Sequence, residues 1–291
     1  MGNLRSGMIK AFIRLWYQRK NLPILNFPFP WIDRSGGFFL VYPDEMGLNI
    51  FLSWRKNRNQ SELGEGRFLS RFLQKGMACV DVGANQGKYS VLFSKKSGRL
   101  GRVFAFEPVD SEFRKLKTNL LLNGCRNVET EKIALGKERV TGAMFVCVDG
   151  HPSRSSFRFP PDEVEGRREQ EIVEVFPLDL WLSKRSVKNV DLLKIDAEGS
   201  ELDILEGAEA LLRELRPFML IELADVATAQ FGYKASKIIE YLKGKGYMPY
   251  EFLASGLIKC LEQKSEYREN IFAVPAEKLG CVSGFISQGD K

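Results

Sequence analysis

The chain has one histidine, His151, in 291 residues. That argues against a His-rich metal site or a His-based triad as the centre of its chemistry. The five cysteines (Cys79, Cys125, Cys147, Cys260, Cys281) are odd in number and form no CxxC or zinc-type spacing. Neither a disulfide framework nor a zinc site is indicated, and reduced thiols of a cytoplasmic protein are the simplest reading. No apolar run approaches the ~18–20 residues of a membrane span, and no signal-peptide apolar region is present. Repeats and low-complexity tracts are missing. The net charge of +6 permits contact with acidic surfaces, but no dense Lys/Arg stripe argues for nucleic acid.

What is present suits a large α/β enzyme. Hydrophobic residues make up 44% of the chain, ample for a core of one or two domains. Near the N-terminus, Ile9, Phe12, Ile13 and Trp16 fall at helical i, i+3, i+4, i+7 spacing among Lys10, Arg14, Arg19 and Lys20. Residues 8–20 therefore read either as a helix packed on its own domain or as a basic amphipathic helix making peripheral contact with the inner membrane surface. Met1-Gly2-Asn3-Leu4-Arg5-Ser6 also fits the loose myristoylation pattern. Residues 21–35, with three prolines, read as extended linker; 38–42 and 48–54 read as strands and 62–72 as a helix. Residues 1–70 form an N-terminal extension without a recognisable catalytic motif, and 71–291 form the main domain.

The main domain opens on Val80-Asp81-Val82-Gly83-Ala84-Asn85-Gln86-Gly87-Lys88-Tyr89-Ser90. A short apolar run meets two glycines four apart and then a helical pattern, as a buried parallel strand does when it turns into a helix N-terminus. Gly83 and Gly87 allow close backbone approach, and the turn favours an anionic group. Strands over 102–106 and 128–135, helices over 88–95 and 111–122, and later strands over 190–195 and 218–223 keep the β-α-β alternation of a doubly wound, mostly parallel sheet. One helix over 200–215 and another over 235–245 continue it. The last two strands, 247–252 and 271–274, have no helix between them and suit an antiparallel hairpin at one edge. Residues 136–177 break the rhythm as an insertion with short strands over 143–148 and 172–176.

Glu107 ends the second strand, 24 positions after Gly83, where an acid reaches the ribose hydroxyls of a bound nucleoside. The run G-A-N-Q-G lacks the third glycine of a dinucleotide fingerprint, and Asp81 precedes it by two positions. An acid there repels a pyrophosphate and suits the ammonium of a methionine moiety, so S-adenosylmethionine (SAM) fits better than NAD. A second constellation is Lys194-Ile195-Asp196-Ala197-Glu198-Gly199-Ser200-Glu201. Strand alternation puts Lys194 and Asp196 on one side, and Glu198 and Glu201 on one face of the opening helical turn. Glu222 ends the next strand beside them.

VDVGANQGKYS, FAFEP, and DLLKIDAEGSELDILEGA followed by RPFMLIEL together resemble the FkbM family of class I SAM-dependent methyltransferases over roughly residues 62–252. The KIDAEGSE block is the specific part. The resemblance implies a seven-stranded Rossmann-like sheet and O-methylation of a hydroxyl on a sugar, glycan or secondary metabolite. It also implies that Asp81, Gly83, Asn85 and Gly87 line the methionine end of SAM, that Glu107 holds the ribose and that the Ala134 neighbourhood faces the adenine. Family members often carry a histidine shortly after the Glu222 position; here the chain reads Glu222-Leu223-Ala224-Asp225, which leaves that role absent or passed to Asp225.

A hydroxyl needs a base, and Asp196 is the expected one, with Glu198 or Glu222 orienting the acceptor. Lys194 either lowers the hydroxyl pKa or pairs with Asp196. A divalent metal on Asp196 and its neighbours would do the same job and would be oxygen-coordinated, Mg-like. Three rivals share parts of this pattern: a nucleic-acid methyltransferase, an NAD-dependent oxidoreductase, and a non-catalytic SAM-fold scaffold.

Overall fold

The structure, a computed structural model, describes residues 29–32, 38–41, 60–147, 155–158 and 168–287. The amphipathic segment 8–20, the Gly2 pattern, the strand expected over 48–54 and His151 lie outside these residues.

Two short strands, β1 (Phe29–Ile32) and β2 (Phe38–Val41), pair antiparallel with Trp31 opposite Phe39. Residues 21–35 are thus not linker throughout: Pro30 lies in a strand of a two-stranded ribbon, where one missing donor is tolerated. Helix α1 (Gln60–Phe72) follows. Phe68, Leu69 and Phe72 are buried, and the Phe68 ring meets Phe272 at 4.6 Å between centroids. Gly64 lets α1 ride against the chain beneath it, since a Cβ there would stand 2.0 Å from Leu253 O. The boundary drawn at residue 70 falls inside this helix.

The expected alternation then appears as β3 (Ala78–Val82), α2 (Lys88–Ser97), β4 (Arg102–Phe106), α3 (Asp110–Leu122) and β5 (Val128–Glu131). All five residues of β3 are buried, as in a parallel strand covered on both faces. The strand expected over 128–135 is two strands. β6 (Ala134–Leu135) leaves the main sheet to pair with β8 (Arg168–Phe176), which also runs antiparallel to β7 (Val140–Cys147). The insertion is therefore a small sheet of its own. After helix α4 (Leu178–Lys184) the main sheet resumes with β9 (Leu192–Ile195).

The single helix expected over 200–215 is broken into α5 (Glu201–Glu206) and α6 (Glu209–Glu214). The chain enters the insertion across Gly207, where a Cβ would lie 2.0 Å from Gly136 O. Asp179 of α4 then supplies a cap for the new start, accepting from Ala210 N at 2.7 Å and Leu211 N at 2.9 Å. The remaining elements are β10 (Phe218–Ala224), α7 (Asp225–Thr228), α8 (Ser236–Gly244), β11 (Tyr247–Phe252), β12 (Ile258–Cys260), β13 (Arg268–Pro275) and α9 (Leu279–Val282).

The main sheet runs β12-β11-β13-β10-β9-β3-β4-β5. Neighbours from β10 through β5 pair parallel, whereas β13 inserts antiparallel between β10 and β11. This is the Rossmann-like doubly wound fold with one correction to the strand count. β12 adds an eighth strand, and it forms the edge expected of the 247–252 and 271–274 pair. Val82, Phe104, Phe106, Ile195 and Ile221 pack with α4, α5, α6 and α8 on one face. Cys79, Val103, Leu192 and Leu220 pack with α1 and α2 on the other. The crossover leaves the carboxyl ends of β3, β4, β9 and β10 side by side, where ligands bind in such sheets.

Candidate active site

At the end of β3 the chain turns through Gly83 (φ 69°), Asn85 (φ 48°) and Gly87 (φ 90°), all left-handed. Gly83 is required twice over, because a Cβ there would also sit 1.8 Å from Asp196 O. Asn85 tolerates its conformation because its own Oδ1 accepts from Gln86 N at 2.8 Å. The N–H groups of Gly83 and Ala84 are held by Phe106 O at 3.0 and 2.9 Å. The turn is thus sewn to the end of β4 as a rigid cradle.

Glu107, the residue just after that strand, completes it. Its Oε2 accepts from Asn85 N at 2.8 Å and its Oε1 from Val109 N at 2.9 Å. Burial pushes its pKa up to about 7 against the pull of those two N–H groups. Each oxygen keeps a second lone pair for a hydroxyl donor. Ala134 is buried with Val109 beside Glu107, in the cluster that joins the insertion to the sheet.

Beneath the turn lies Lys194. Its Nζ donates to Val82 O at 3.2 Å and Gly83 O at 2.8 Å and pairs with Asp81 Oδ1 at 3.2 Å and Asp196 Oδ2 at 3.5 Å. Burial alone would lower its pKa, but the charges of Asp196 and Asp81 outweigh it and hold the group above the ordinary lysine range. Lys194 and Asp196 are thus paired.

Asp81, expected at the methionine end, is fully buried; it accepts from Ser90 Oγ at 2.6 Å and faces Lys194, supporting the turn from below. Asp196 is different: its side chain keeps 34% of its surface exposed, against 3% for Lys194. Glu222 leaves β10 one residue beyond the Ile195–Ile221 pair and so stands beside Asp196. Its Oε2 is buried with no hydrogen-bond partner. Burial, then the charges of Asp196, Glu198 and Glu201, push Glu222 well above the ordinary carboxylate range.

Glu198 and Glu201 do not share a face. Glu198 (φ 50°) and Gly199 (φ 103°) form a sharp left-handed bend before α5. Glu201 points inward, accepting from Ala197 N at 2.9 Å and Gly199 N at 3.2 Å, and burial pushes its pKa up to about 7. Glu198 O accepts from Ser156 Oγ at 3.2 Å, which brings the insertion against the bend. Both Asp225 oxygens are engaged by backbone N–H groups, of Ala235 and Tyr267, each at 2.8 Å. Among the described residues, no group of three or more His, Cys, Asp or Glu side chains is placed to hold a metal ion.

Glu201 binds its proton more tightly folded (about 7) than at its ordinary value of 4.5. The stability it contributes is therefore full at low pH and lost as pH rises through about 7. Glu201→Gln keeps the accepting oxygen. Its melting temperature should change less than the wild type's between about pH 5 and about pH 8, and parallel curves would remove Glu201 as a titrating group.

Sequence reasoning missed Glu65 of α1 and Asn270 of β13. Glu65 accepts from Tyr89 Oη at 2.5 Å and from Asn270 Nδ2 at 2.9 Å. No sequence signal marks this trio, because its members come from three elements distant along the chain.

The family model described as "Methyltransferase FkbM domain" matches residues 81–249, from Asp81 under the turn to β11, more than half of the chain. The chain belongs to the FkbM methyltransferase family. A curated relative, "Methyltransferase 1" of Beauveria bassiana (strain ARSEF 2860), is 26% identical over 161 residues, covering 50% of this chain and 64% of that protein. This FkbM-family chain thus spans less than two thirds of that relative's length. Among solved structures, a methyltransferase FkbM from Methylobacillus flagellatus KT shares 15% identity at a TM-score of 0.43, covering 79% of this chain and 60% of that one. A putative rRNA methylase from Clostridium thermocellum shares 14% at 0.43, covering 75% and 97%. Aeropyrum pernix fibrillarin, solved with bound S-adenosyl-L-methionine, shares 16% at 0.41, covering 69% and 68%. Among the described residues of this family member, no helix is long and apolar enough to cross a membrane.

Proposed function

We propose that this FkbM-family protein transfers a methyl group from S-adenosylmethionine to a hydroxyl of a sugar, glycan or secondary metabolite. The observation that carries the reading is the opening of Asp196. Of the two carboxylates paired with the buried Lys194, it alone reaches solvent, at the carboxyl end of β9 beside the glycine cradle.

The residues present suit the cofactor. The turn is packed so closely that a side chain at Gly83 would strike Asp196 O, and Glu107 offers free lone pairs to two ribose hydroxyls. Gly83, Asn85 and Gly87 would border the methionine end and Glu107 the ribose, with the adenine beyond Val109 toward the Ala134 cluster. When bound, the cofactor supplies an electrophilic methyl group on sulfur. The protein's part is to place the acceptor oxygen in line and remove its proton.

Asp196 accepts that proton. Lys194 keeps the Asp196 carboxylate aimed outward from a fixed point. Glu222, beside Asp196 and with its Oε2 unpartnered, orients the acceptor. Glu198 borders the entrance at the bend. An acceptor carrying phosphates would meet the carboxylates of Asp196 and Glu198, which favours neutral hydroxyl compounds over nucleic acid.

Methyl-labelled SAM incubated with sugars, lipopolysaccharide fragments and cell extracts tests the reading. Label on a hydroxyl oxygen supports it; label on nucleic acid, with binding to that nucleic acid lost at modest salt, supports the rival. SAM, and not NAD, should raise the melting temperature. Glu107→Ala removes acceptors from both the cradle and the ribose and should weaken SAM binding about 10–100-fold by calorimetry. Unchanged affinity would place the cofactor elsewhere.

A further inference from the structure

Tyr89 opens the helix after the glycine turn, and its ring lies 5.1 Å from the Lys194 ammonium on one contact and 5.2 Å from that of Lys88 on another. Its hydroxyl donates to Glu65, which is buried and comes from α1. The second oxygen of Glu65 is held by Asn270, which sits opposite Glu222 in the β10–β13 register. A chain of contacts therefore runs from α1 through Tyr89 to Lys194, and from Lys194 to Gly83 O and Asp196.

We infer that Glu65 is a positioning residue of the methyl-transfer site, acting through Tyr89 to lock Lys194 against the glycine turn. The inference rests on the SAM reading above and extends it to a residue outside the matched family region. The geometry explains why a buried carboxylate is placed on α1. Lys194 has its carbonyls and carboxylates on the side of the turn, and the aromatic ring closes another side. A ring with an anchored hydroxyl cannot swing away, whereas an unanchored one moves among rotamers and lets the ammonium drift from Gly83 O. The local field includes Lys88, Asp196 and Asp81 together with Glu65 itself.

The test needs no acceptor. Reductive methylation of lysines, mapped by peptide mass spectrometry on the full chain, reads the exposure of the Lys194 ammonium. Alkylation of Cys79, fully buried on the adjoining strand, reads global opening. In Glu65→Ala, Lys194 should be modified at least about 10-fold faster with Cys79 unchanged, and SAM affinity should fall at least about fivefold. Glu65→Gln should restore both to within about threefold, because Asn270 can turn its amide to accept from the new N–H. The Glu65→Ala/Tyr89→Phe double variant should add little to either single one. Lys194 protection unchanged in Glu65→Ala, Lys194 and Cys79 opening together, or looser Lys194 with undiminished SAM binding would each overturn the inference. Wild-type protein that binds no SAM would instead overturn the cofactor reading, and Lys194 labelling would still report the contact chain.

Discussion

Replacing Lys194 with methionine should destabilise the domain by about 3–5 kcal/mol, the usual consequence of removing one partner from a buried ion pair. Asp81 is fully buried, and Ser90 Oγ donates to its other oxygen. The carbonyls of Val82 and Gly83 would lose their donor at the same moment, so the glycine turn would loosen along with the core. A methionine of similar length fills the space, which separates the electrostatic loss from a cavity. Chemical denaturation measures the effect. Asp81→Asn in the same protein should recover part of the loss, because the stranded charge disappears while the Ser90 bond survives. A Lys194→Met protein as stable as wild type would show that the ammonium is not the keystone of the turn.

Asp196→Asn should abolish transfer while leaving both fold and cofactor affinity nearly intact. A positioned base contributes about 10²–10⁴-fold in rate, and asparagine keeps the shape of the group but cannot take a proton. The side chain is partly exposed and its pairing with Lys194 is the long one, at 3.5 Å, so stability should change little. Turnover of labelled SAM, with binding measured separately, checks the prediction. Turnover within about tenfold of wild type would transfer the role of base to Glu222 or to water.

The central fold was open to sequence reasoning because each parallel strand carries its own signal. β3, β4, β9 and β10 are short apolar runs ended by glycine or acid, and their bounds fell within a residue or two of expectation. The helix over 200–215 failed as a single element because its periodicity is local, whereas the break at Gly207 is imposed by Gly136 passing 71 positions away in sequence. The extra strand β12 escaped for the same kind of reason. Ile258–Cys260 becomes a strand only because β11 offers its open edge.

In the site, alternation correctly suggested that Lys194 and Asp196 share a side, and the structure sets them 3.5 Å apart. Helical spacing misled at Glu198 and Glu201, since the helix starts only at Glu201 and the preceding bend is left-handed. Asp81 and Asp196 look alike in sequence, two acids at the ends of neighbouring strands.

By itself, then, the sequence determined the order of strands and helices, the two glycines of the turn and the family of the chain, all of which are local patterns along the backbone. Only the tertiary structure decided which acids are buried against the protein's own groups and which stay open at the strand ends. Asp81 went below the turn, Glu201 and Asp225 turned to backbone N–H groups, Glu65 arrived from α1, and Asp196 was left facing outward. The physical reason is that a carboxylate's role depends on its burial and its hydrogen-bond donors, and those donors come from segments far away along the chain.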